Sequence, residues 1–198
     1  VELFGGKTAA QSVIEKALRA GKDVVTANKA LLADKGARLF GIARQNKRSI
    51  AFEASVAGCI PIVAALRAAM VGERIESIYG IVNGTCNYIL TQMSQRGLPY
   101  AQALKEAQEK GYAEADPALD VEGHDSAHKL AVLARLAFGV DVRDDDIYRE
   151  GISGVEPVDL RYAHSLGYTL KLVAVGIRAD DRFALRVHPT LLRHEHPL

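Results

Sequence analysis

The feature that most constrains the fold is a regular alternation of short β-branched segments with longer helical segments near the start of the chain. The pattern predicts strands at residues 1–4, 23–27 and 49–54, separated by helices at 9–20 and 29–45. Strands joined by helices of about a dozen residues are typical of βαβ units in a parallel sheet. We therefore predict the second half of a doubly wound domain. The phosphate-binding pattern GxGxxG that opens such a domain does not occur in the sequence.

Beyond residue 58 the parallel pattern does not continue. The sequence predicts, in order, a helix at 60–71, a strand at 74–82, helices at 85–96, 99–110 and 121–138, and strands at 170–178 and 182–188. Pro61 falls in the first turn of one helix and Gly111 follows the end of another, as these residue types favour. The last two strands are separated by residues 179–181 only, which indicates a hairpin. We interpret this second part as an α+β unit.

Composition excludes several classes of protein. Lys and Arg number 25 against 24 Asp and Glu, and only 6% of residues are aromatic, so we expect no nucleic-acid partner. Cys59 and Cys86 form no CxxC pair and predict neither a disulfide framework nor a thiolate metal site, which suits a reducing cytoplasm. No apolar run approaches a membrane span in length, so we expect no membrane partner. The chain begins inside a strand-like segment without methionine, and we interpret it as a fragment.

The stretch GYAEADPALDVEGHDSAHK, at residues 111–129, concentrates carboxylates and histidines ahead of Lys129. The sequence predicts a helix at 121–138 with Asp120 as its N-cap. At roughly 100° per residue, Asp125 and Lys129 share a face of this helix with apolar residues. Two interpretations stay open. The pair is either a simple i,i+4 ion pair or a buried pair in which the carboxylate tunes the lysine as a proton donor.

The same projection predicts that His124, His128, Ala131 and Arg135 form the side of the helix that meets solvent. His124 and His128 also have the spacing of two metal ligands on a helix. A hydrolytic zinc site of the HExxH kind needs a glutamate after the first histidine, where this sequence has Asp125. We interpret the two histidines as surface residues and keep a metal hydrolase as a third hypothesis.

Two acidic residues precede this helix in a loop, Glu114 after a helix end and Asp116 before a proline. They are typical of an acidic surface loop. Alternatively, a chain reversal brings one carboxylate beside Lys129, where it would bind an ammonium or hydroxyl group of a small polar substrate.

Lys29 lies in the first turn of its predicted helix, behind Thr26 or Asn28 as the N-cap. A cation there opposes the helix dipole, so the side chain either extends into solvent or meets an anion such as a cofactor phosphate. The passages FEASVAGCIP and GIVNGTCNYIL each join a strand to a helix through small residues. Their glycines indicate turns, and in the first passage successive carbonyl groups could instead coordinate a hard cation.

Four segments, VVTANKALLA, FEASVAGCIPIV, GIVNGTCNYILTQM and GYAEADPALDVEGHDSAHKLAVLARLAFG, occur in this order, and the whole chain resembles homoserine dehydrogenase. The resemblance implies an α/β fold: the C-terminal half of a Rossmann-like dinucleotide-binding domain at 1–55, then an α+β substrate-binding and dimerisation domain with a mixed sheet at 56–198. It also implies a cytoplasmic homodimer. The implied activity is the NAD- or NADP-dependent interconversion of L-aspartate 4-semialdehyde and L-homoserine, on the route to threonine, methionine and isoleucine.

The resemblance also implies roles for individual residues. Lys129 would be the proton donor to the aldehyde oxygen, and Asp125 would act beside it and bind substrate. Glu114 and Asp120 would bind substrate too, with Glu114 engaging its amino group. Lys29 and Gly111 correspond to cofactor-contacting positions.

A sodium site is implied as well, formed by main-chain oxygens of Glu53, Val56, Gly58 and Ile60. Cys59 departs from the family here, because it stands where the family usually has a second glycine. A hypothesis of a different class is a catalytically silent binding or dimerisation module. Because the glycine-rich loop is absent, we expect the isolated chain to bind the cofactor poorly and to turn over little.

Overall fold

The computed structural model describes residues 1–198, which form two compact units. The first comprises Val1–Glu76 and His128–Asp146, and the second comprises Ser77–Ala127 and Ile147–Leu198. The units alternate along the chain rather than following one another, so the predicted domain boundary after residue 55 stays a prediction. No helix combines the length and the apolar character that crossing a membrane requires.

The first unit holds a small parallel sheet with helices. Its elements are α1 (Thr8–Arg19), β1 (Val24–Val25), α2 (Lys29–Gln45), β2 (Ile50–Ala51), α3 (Ile62–Ala64) and, from His128 onward, α7 (His124–Phe138). Strands β1 and β2 pair in parallel, with Val24 opposite Ile50, which confirms the βαβ prediction. Helix α2 has the predicted bounds.

Several predicted elements of this unit are shorter than expected. Strands β1 and β2 span two residues each, where the sequence predicted strands at 23–27 and 49–54. The first strand is reduced to one parallel bridge between Glu2 and Thr26. After Glu2 the backbone leaves the sheet, because the Glu2 carboxylate accepts hydrogen bonds from the backbone N–H groups of Phe4 and Gly5. The helix predicted at 60–71 is three residues of α3 followed by a π-helical turn over Ala65–Ala69.

The second unit is an α+β arrangement around a four-stranded mixed sheet. Its elements are β3 (Ser77–Gly80), α4 (Gly84–Arg96), α5 (Tyr100–Glu109), α6 (Ala118–Val121), the start of α7, β4 (Tyr148–Arg149), α8 (Pro157–Ser165), β5 (Tyr168–Ala179) and β6 (Arg182–Arg193). The strand order is β3-β5-β6-β4. Strands β3 and β6 pair antiparallel to β5, whereas β4 pairs parallel to β6.

The predicted hairpin forms, and it is longer than the sequence indicated. Ala179 pairs with Arg182 across a turn of two residues, and the pairing runs back to Tyr168 opposite Arg193. Helices α4 and α8 both contact β5. Val173 and Val175 on β5 pack with Leu192 of β6 into a buried apolar cluster.

The helix predicted at 121–138 is interrupted at its start, so the prediction that Asp120 caps it is wrong. Asp120 lies within α6, the chain passes through Gly123 with φ of +83°, and α7 begins at His124. A distant segment also stabilises the break, because the N–H of Ile152 donates to the carbonyl of Val121 at 2.8 Å. The left-handed glycine and the pairing with a distant segment thus end α6 together.

Candidate active site

Asn83 is the centre of a polar cluster in the second unit. It is the N-cap of α4, and its Oδ1 accepts a hydrogen bond from the backbone N–H of Cys86 at 2.8 Å. Its Nδ2 donates to Asp120 Oδ1 at 2.7 Å and to Asp125 Oδ2 at 2.9 Å. Asn83 is 4% exposed and Asp125 is 7% exposed. One buried amide thus holds two of the carboxylates that the sequence singled out.

The break between α6 and α7 is what brings these two carboxylates together. Asp120 is on the short helix before the break, and Asp125 is in the first turn of the helix after it. Asp120 is tied to α4 a second time, because the Cys86 thiol donates to its carbonyl oxygen at 3.2 Å. In an uninterrupted helix the two residues would lie more than one turn apart on different faces.

Lys129 follows Asp125 by one helical turn on α7. The structure leaves Lys129 partly exposed and buries Asp125. A separation of four residues places two side chains on one helix face, as the sequence analysis predicted. The helix therefore places the amine of Lys129 one turn after the Asp125 carboxylate.

The predicted solvent side of this helix is wrong. His128 is 9% exposed and Ala131 is fully buried. His128 Nε2 lies 3.8 Å from Asp144 Oδ1, and Arg135 donates to the carbonyl of Leu32 at 2.8 Å. The helical projection located the apolar stripe but could not show that packing also covers the opposite side, as it does for a helix that is apolar nearly all round.

Glu114 is not joined to the Asn83 cluster by a hydrogen bond. Its carboxylate is exposed, and its carbonyl oxygen accepts from Gln108 Nε2 at 3.1 Å. The loop that carries it is anchored to α4, because Thr85 Oγ1 donates to the carbonyl of Tyr112 at 2.7 Å and the rings of Tyr88 and Tyr112 are 4.8 Å apart. The loop is therefore held beside the helix that Asn83 caps, while the Glu114 carboxylate stays accessible.

Gly111 ends α5 as predicted. Its φ is +74°, its N–H donates to the carbonyl of Gln108 at 3.0 Å, and a Cβ placed on it would meet no atom within 4 Å. The positive φ explains the glycine, since other residues rarely adopt it. The open space leaves the backbone accessible to a ligand.

In the first unit, Lys29 is the first residue of α2 and is partly exposed. Of the two possible caps, Asn28 is the N-cap, because its Oδ1 accepts from the N–H of Leu31 at 3.0 Å. Thr26 instead accepts from the N–H of Asn28 and donates to Glu2. The cationic side chain thus lies where the helix dipole favours an anion.

The loop proposed for a cation has unusual backbone angles. Cys59 has φ of +70° and Ala57 has φ of +48°, a region that disfavours residues other than glycine. The Glu53 carboxylate accepts from the N–H groups of Val63 and Ala64 at 3.0 and 2.9 Å. It therefore caps α3. The N–H of Ile62 donates to the carbonyl of Ile60 at 2.8 Å.

Sequence reasoning missed the contacts that Asn83, Thr85 and Cys86 make with the acidic segment. The passage GIVNGTCNYIL was interpreted only as turn chemistry. The available signal was an asparagine at a helix start, a position at which the amide oxygen is used as a cap and the amide nitrogen is left to bind something else. Which groups it binds depends on residues 37 and 42 positions away.

Comparisons with known proteins agree with the fold. The family model "Homoserine dehydrogenase, NAD binding domain" matches residues 1–53, and the model "Homoserine dehydrogenase" matches residues 61–198. The chain is 50% identical over 192 residues to a homoserine dehydrogenase of Pseudomonas aeruginosa, covering 97% of this chain and 44% of that protein. A Bacillus subtilis homoserine dehydrogenase is 46% identical over 198 residues, with 100% and 46% of the two chains covered.

Solved structures of homoserine dehydrogenases have the same fold. The crystal structure of a homoserine dehydrogenase from Thiobacillus denitrificans has a TM-score of 0.96 at 46% identity and covers 99% of this chain and 46% of its own. A hyperthermophilic archaeal homoserine dehydrogenase in complex with NADPH has a TM-score of 0.83 at 29% identity.

Fold and site define an α/β protein that joins part of a Rossmann-like dinucleotide-binding domain to an α+β domain with a mixed sheet. The chain belongs to the homoserine dehydrogenase family. It spans about half the length of the relatives it matches.

Proposed function

We propose that this chain carries the substrate-binding and proton-transfer residues of a homoserine dehydrogenase, which interconverts L-homoserine and L-aspartate 4-semialdehyde. The observation that carries the proposal is that Asp120 and Asp125 bind one amide and that Lys129 follows Asp125 by one helical turn. A pair of carboxylates and an amine one helical turn after one of them suit a small substrate with an ammonium and a hydroxyl group. We further propose residues 1–55 and 56–198 as the two domains, supported by family models that meet between 53 and 61.

Each residue has a distinct task in the proposed reaction. In the reductive direction, Lys129 donates a proton to the aldehyde oxygen, so that the negative charge developing there is neutralised. Asp125 lies one turn away and orients the oxygen-bearing end of the substrate and the Lys129 ammonium. Asp120 and the accessible Glu114 carboxylate bind the substrate amino group. In the oxidative direction Lys129 takes up the hydroxyl proton.

Lys29 and Gly111 each fit a dinucleotide cofactor. The Lys29 ammonium lies at the N-terminus of α2, where the helix dipole also favours a phosphate, and Gly111 leaves open space at its backbone. When bound, NAD or NADP supplies or accepts the hydride. The structure of the relative solved with NADPH supports this class of cofactor.

The first prediction tests the reaction itself. The experiment uses a protein that contains this chain and has the full length of its relatives. In that protein Lys129→Ala should lower the rate of homoserine-dependent reduction of NAD(P)⁺ by about 10²- to 10⁴-fold, the typical contribution of a proton-transfer group. Homoserine binding, measured by calorimetry, should be retained. The control is Lys105→Ala, which removes an exposed lysine of α5 and should leave the rate unchanged.

Three outcomes separate the hypotheses. An unaffected rate in Lys129→Ala would refute the assignment. A wild-type protein that binds homoserine but never turns it over would favour the catalytically silent module. The metal-hydrolase hypothesis predicts that chelation abolishes activity, and a metal-free preparation that still turns over removes it. No group of three or more His, Cys, Asp and Glu side chains within residues 1–198 is arranged to hold a metal ion.

We also infer a sodium ion held by the carbonyl groups of Glu53, Val56, Gly58 and Ile60, supported by the positive φ of Ala57 and Cys59 in the loop that carries them. Carbonyl oxygens are ligands that hard cations prefer. The melting temperature in sodium chloride should exceed that in choline chloride at equal ionic strength, and equal values would remove the ion from the proposal.

We infer a homodimer in the cytoplasm. Support for the dimer comes from the exposed apolar side chains of Tyr162, Leu166 and Leu191, which line one cleft of the second unit. Neither cysteine forms a disulfide, which suits a reducing compartment.

A further inference from the structure

Asn83 uses every polar atom of its side chain. The amide oxygen accepts one backbone N–H, and the amide nitrogen donates to two carboxylates. An amide has two N–H donors, so both are taken. The orientation is fixed, because the reverse one would set the NH₂ group against the N–H of Cys86 and the oxygen against two carboxylates.

The position is chemically unusual for a helix cap. Asn, Asp and Ser cap helices about equally well, so capping alone does not require asparagine. Only asparagine among them also offers two donors. Because the amide is neutral, it satisfies one oxygen of each carboxylate without neutralising either charge, and the pair keeps its attraction for a cation. Like charges this close repel, so a shared donor is needed to hold them together in a buried place.

We propose that Asn83 is a positioning residue that sets the separation and rotamers of Asp120 and Asp125, so that the two carboxylates can bind one small amino-alcohol substrate. The inference rests on the proposed function, because the carboxylates are the groups assigned to substrate. Asn83 itself acts only through the two carboxylates. Its loss should therefore affect substrate binding more than the proton transfer at Lys129.

Two substitutions separate this role from capping. Asn83→Ser and Asn83→Asp both keep a cap acceptor for α4. Asn83→Ser should raise KM for homoserine by about 10- to 100-fold, in the range expected when reacting groups lose their position, while kcat falls by less than about threefold.

Asn83→Asp places a third carboxylate against the other two. At neutral pH it should lose more of kcat/KM than Asn83→Ser, because repulsion drives the carboxylates apart. At lower pH it should regain part of the loss relative to wild type, because a proton taken up by the cluster restores one donor. The matched control is Asn87→Asp, the same change one turn later on α4, where the side chain accepts from Lys171 Nζ at 2.7 Å. That variant should keep the wild-type KM and pH profile.

A measurement on the unaltered protein completes the test. The two side-chain N–H signals of Asn83 in ¹⁵N NMR should exchange slowly with solvent and should shift on titration with homoserine. Signals that do not respond to homoserine would overturn the proposal even if the variants fail to fold. Variants with KM within twofold of wild type, or with kcat and stability lost while KM is unchanged, would overturn it too. If Lys129→Ala alone abolishes turnover in that case, the proposed function stands and only the role of Asn83 falls.

Discussion

At the scale of single residues, several side chains near the proposed sites serve structure and chemistry at once. Asn83 caps α4 and holds two carboxylates, and Glu53 caps α3 within a proposed cation loop. A further role of such a residue cannot be inferred from its residue type, because helix capping alone already explains why that type is present. The bonding partners of each atom decide what else the residue does.

Glu15 is the clearest electrostatic contribution to stability in the first unit. Its carboxylate accepts hydrogen bonds from Arg38 at 2.7 and 3.1 Å and from Gln11 at 2.8 Å. Mainly the bond to Arg38, then that to Gln11, lowers the pKa of Glu15 from 4.5 to about 2. The carboxylate is deprotonated more easily in the folded state, so its contribution is present above pH 4.5 and is lost as the pH falls towards 2.

We predict that Glu15→Gln lowers the free energy of unfolding at pH 7 by about 1 to 2 kcal/mol, after allowing for solvent around Arg38. Urea titrations across pH should show a flatter dependence between pH 4.5 and 2 than in wild type. The control is Glu106→Gln, which breaks a similar pair with Arg96 at an exposed position and should cost less. Equal losses in the two variants would contradict the prediction.

Cys59 carries a backbone conformation that suits glycine. Its φ of +70° disfavours a residue with a side chain by roughly 1 kcal/mol. Cys59→Gly should therefore raise the free energy of unfolding by about 0.5 to 1 kcal/mol, less what glycine gains in the unfolded chain. Ala54→Gly, at a position without positive φ, should destabilise instead. Chemical denaturation measures both, and a destabilised Cys59→Gly would show that the thiol makes a compensating contact.

At the scale of elements, the break between α6 and α7 determines the site. Gly151 approaches the break so closely that a Cβ on it would overlap the Val121 carbonyl oxygen and would lie 2.8 Å from Glu122 Cα. Both contacts are with backbone, which cannot move aside without shifting α6. The glycine therefore permits the hydrogen bond from Ile152 that ends α6.

We predict that Gly151→Ala destabilises the protein by about 2 to 4 kcal/mol, as overpacking against backbone does. It should also raise KM for homoserine, because α6 carries Asp120. Gly154→Ala changes the same loop at a position with open space around it and should have little effect on either quantity. Thermal unfolding and steady-state kinetics measure the two effects, and a Gly151→Ala variant with wild-type KM would disconnect the break from the site.

At the scale of the whole molecule, the proposed homodimer predicts what happens when apolar side chains at the surface become charged. Leu166 is 71% exposed. A glutamate at this position would weaken the assembly only if the partner subunit covers the side chain. Leu166→Glu should shift the mass measured by light scattering from dimer to monomer without lowering helix content. Asp180→Glu in the β5–β6 turn provides the control. A protein that is monomeric before substitution would refute the dimer.

The sequence by itself determined the βαβ start, the bounds of α2, the end of α5 at Gly111 and the β5–β6 hairpin. These features depend on local periodicity, on caps and on turn residues, which act within a few positions of the chain. It also identified the carboxylate and lysine residue types from which a site could be built, and the resemblance assigned roles to them.

Only the tertiary structure decided how those residues meet. Asp120 lies on a separate short helix instead of capping a long one, because Gly123 turns the chain and Ile152, from a distant segment, binds the carbonyl of Val121. His128 became buried because packing covers the side of α7 that its own pattern left polar. Asn83 acquired its two carboxylates from residues far along the chain. Contacts between distant segments have no local signature, so the geometry of the site could not be derived from the sequence alone.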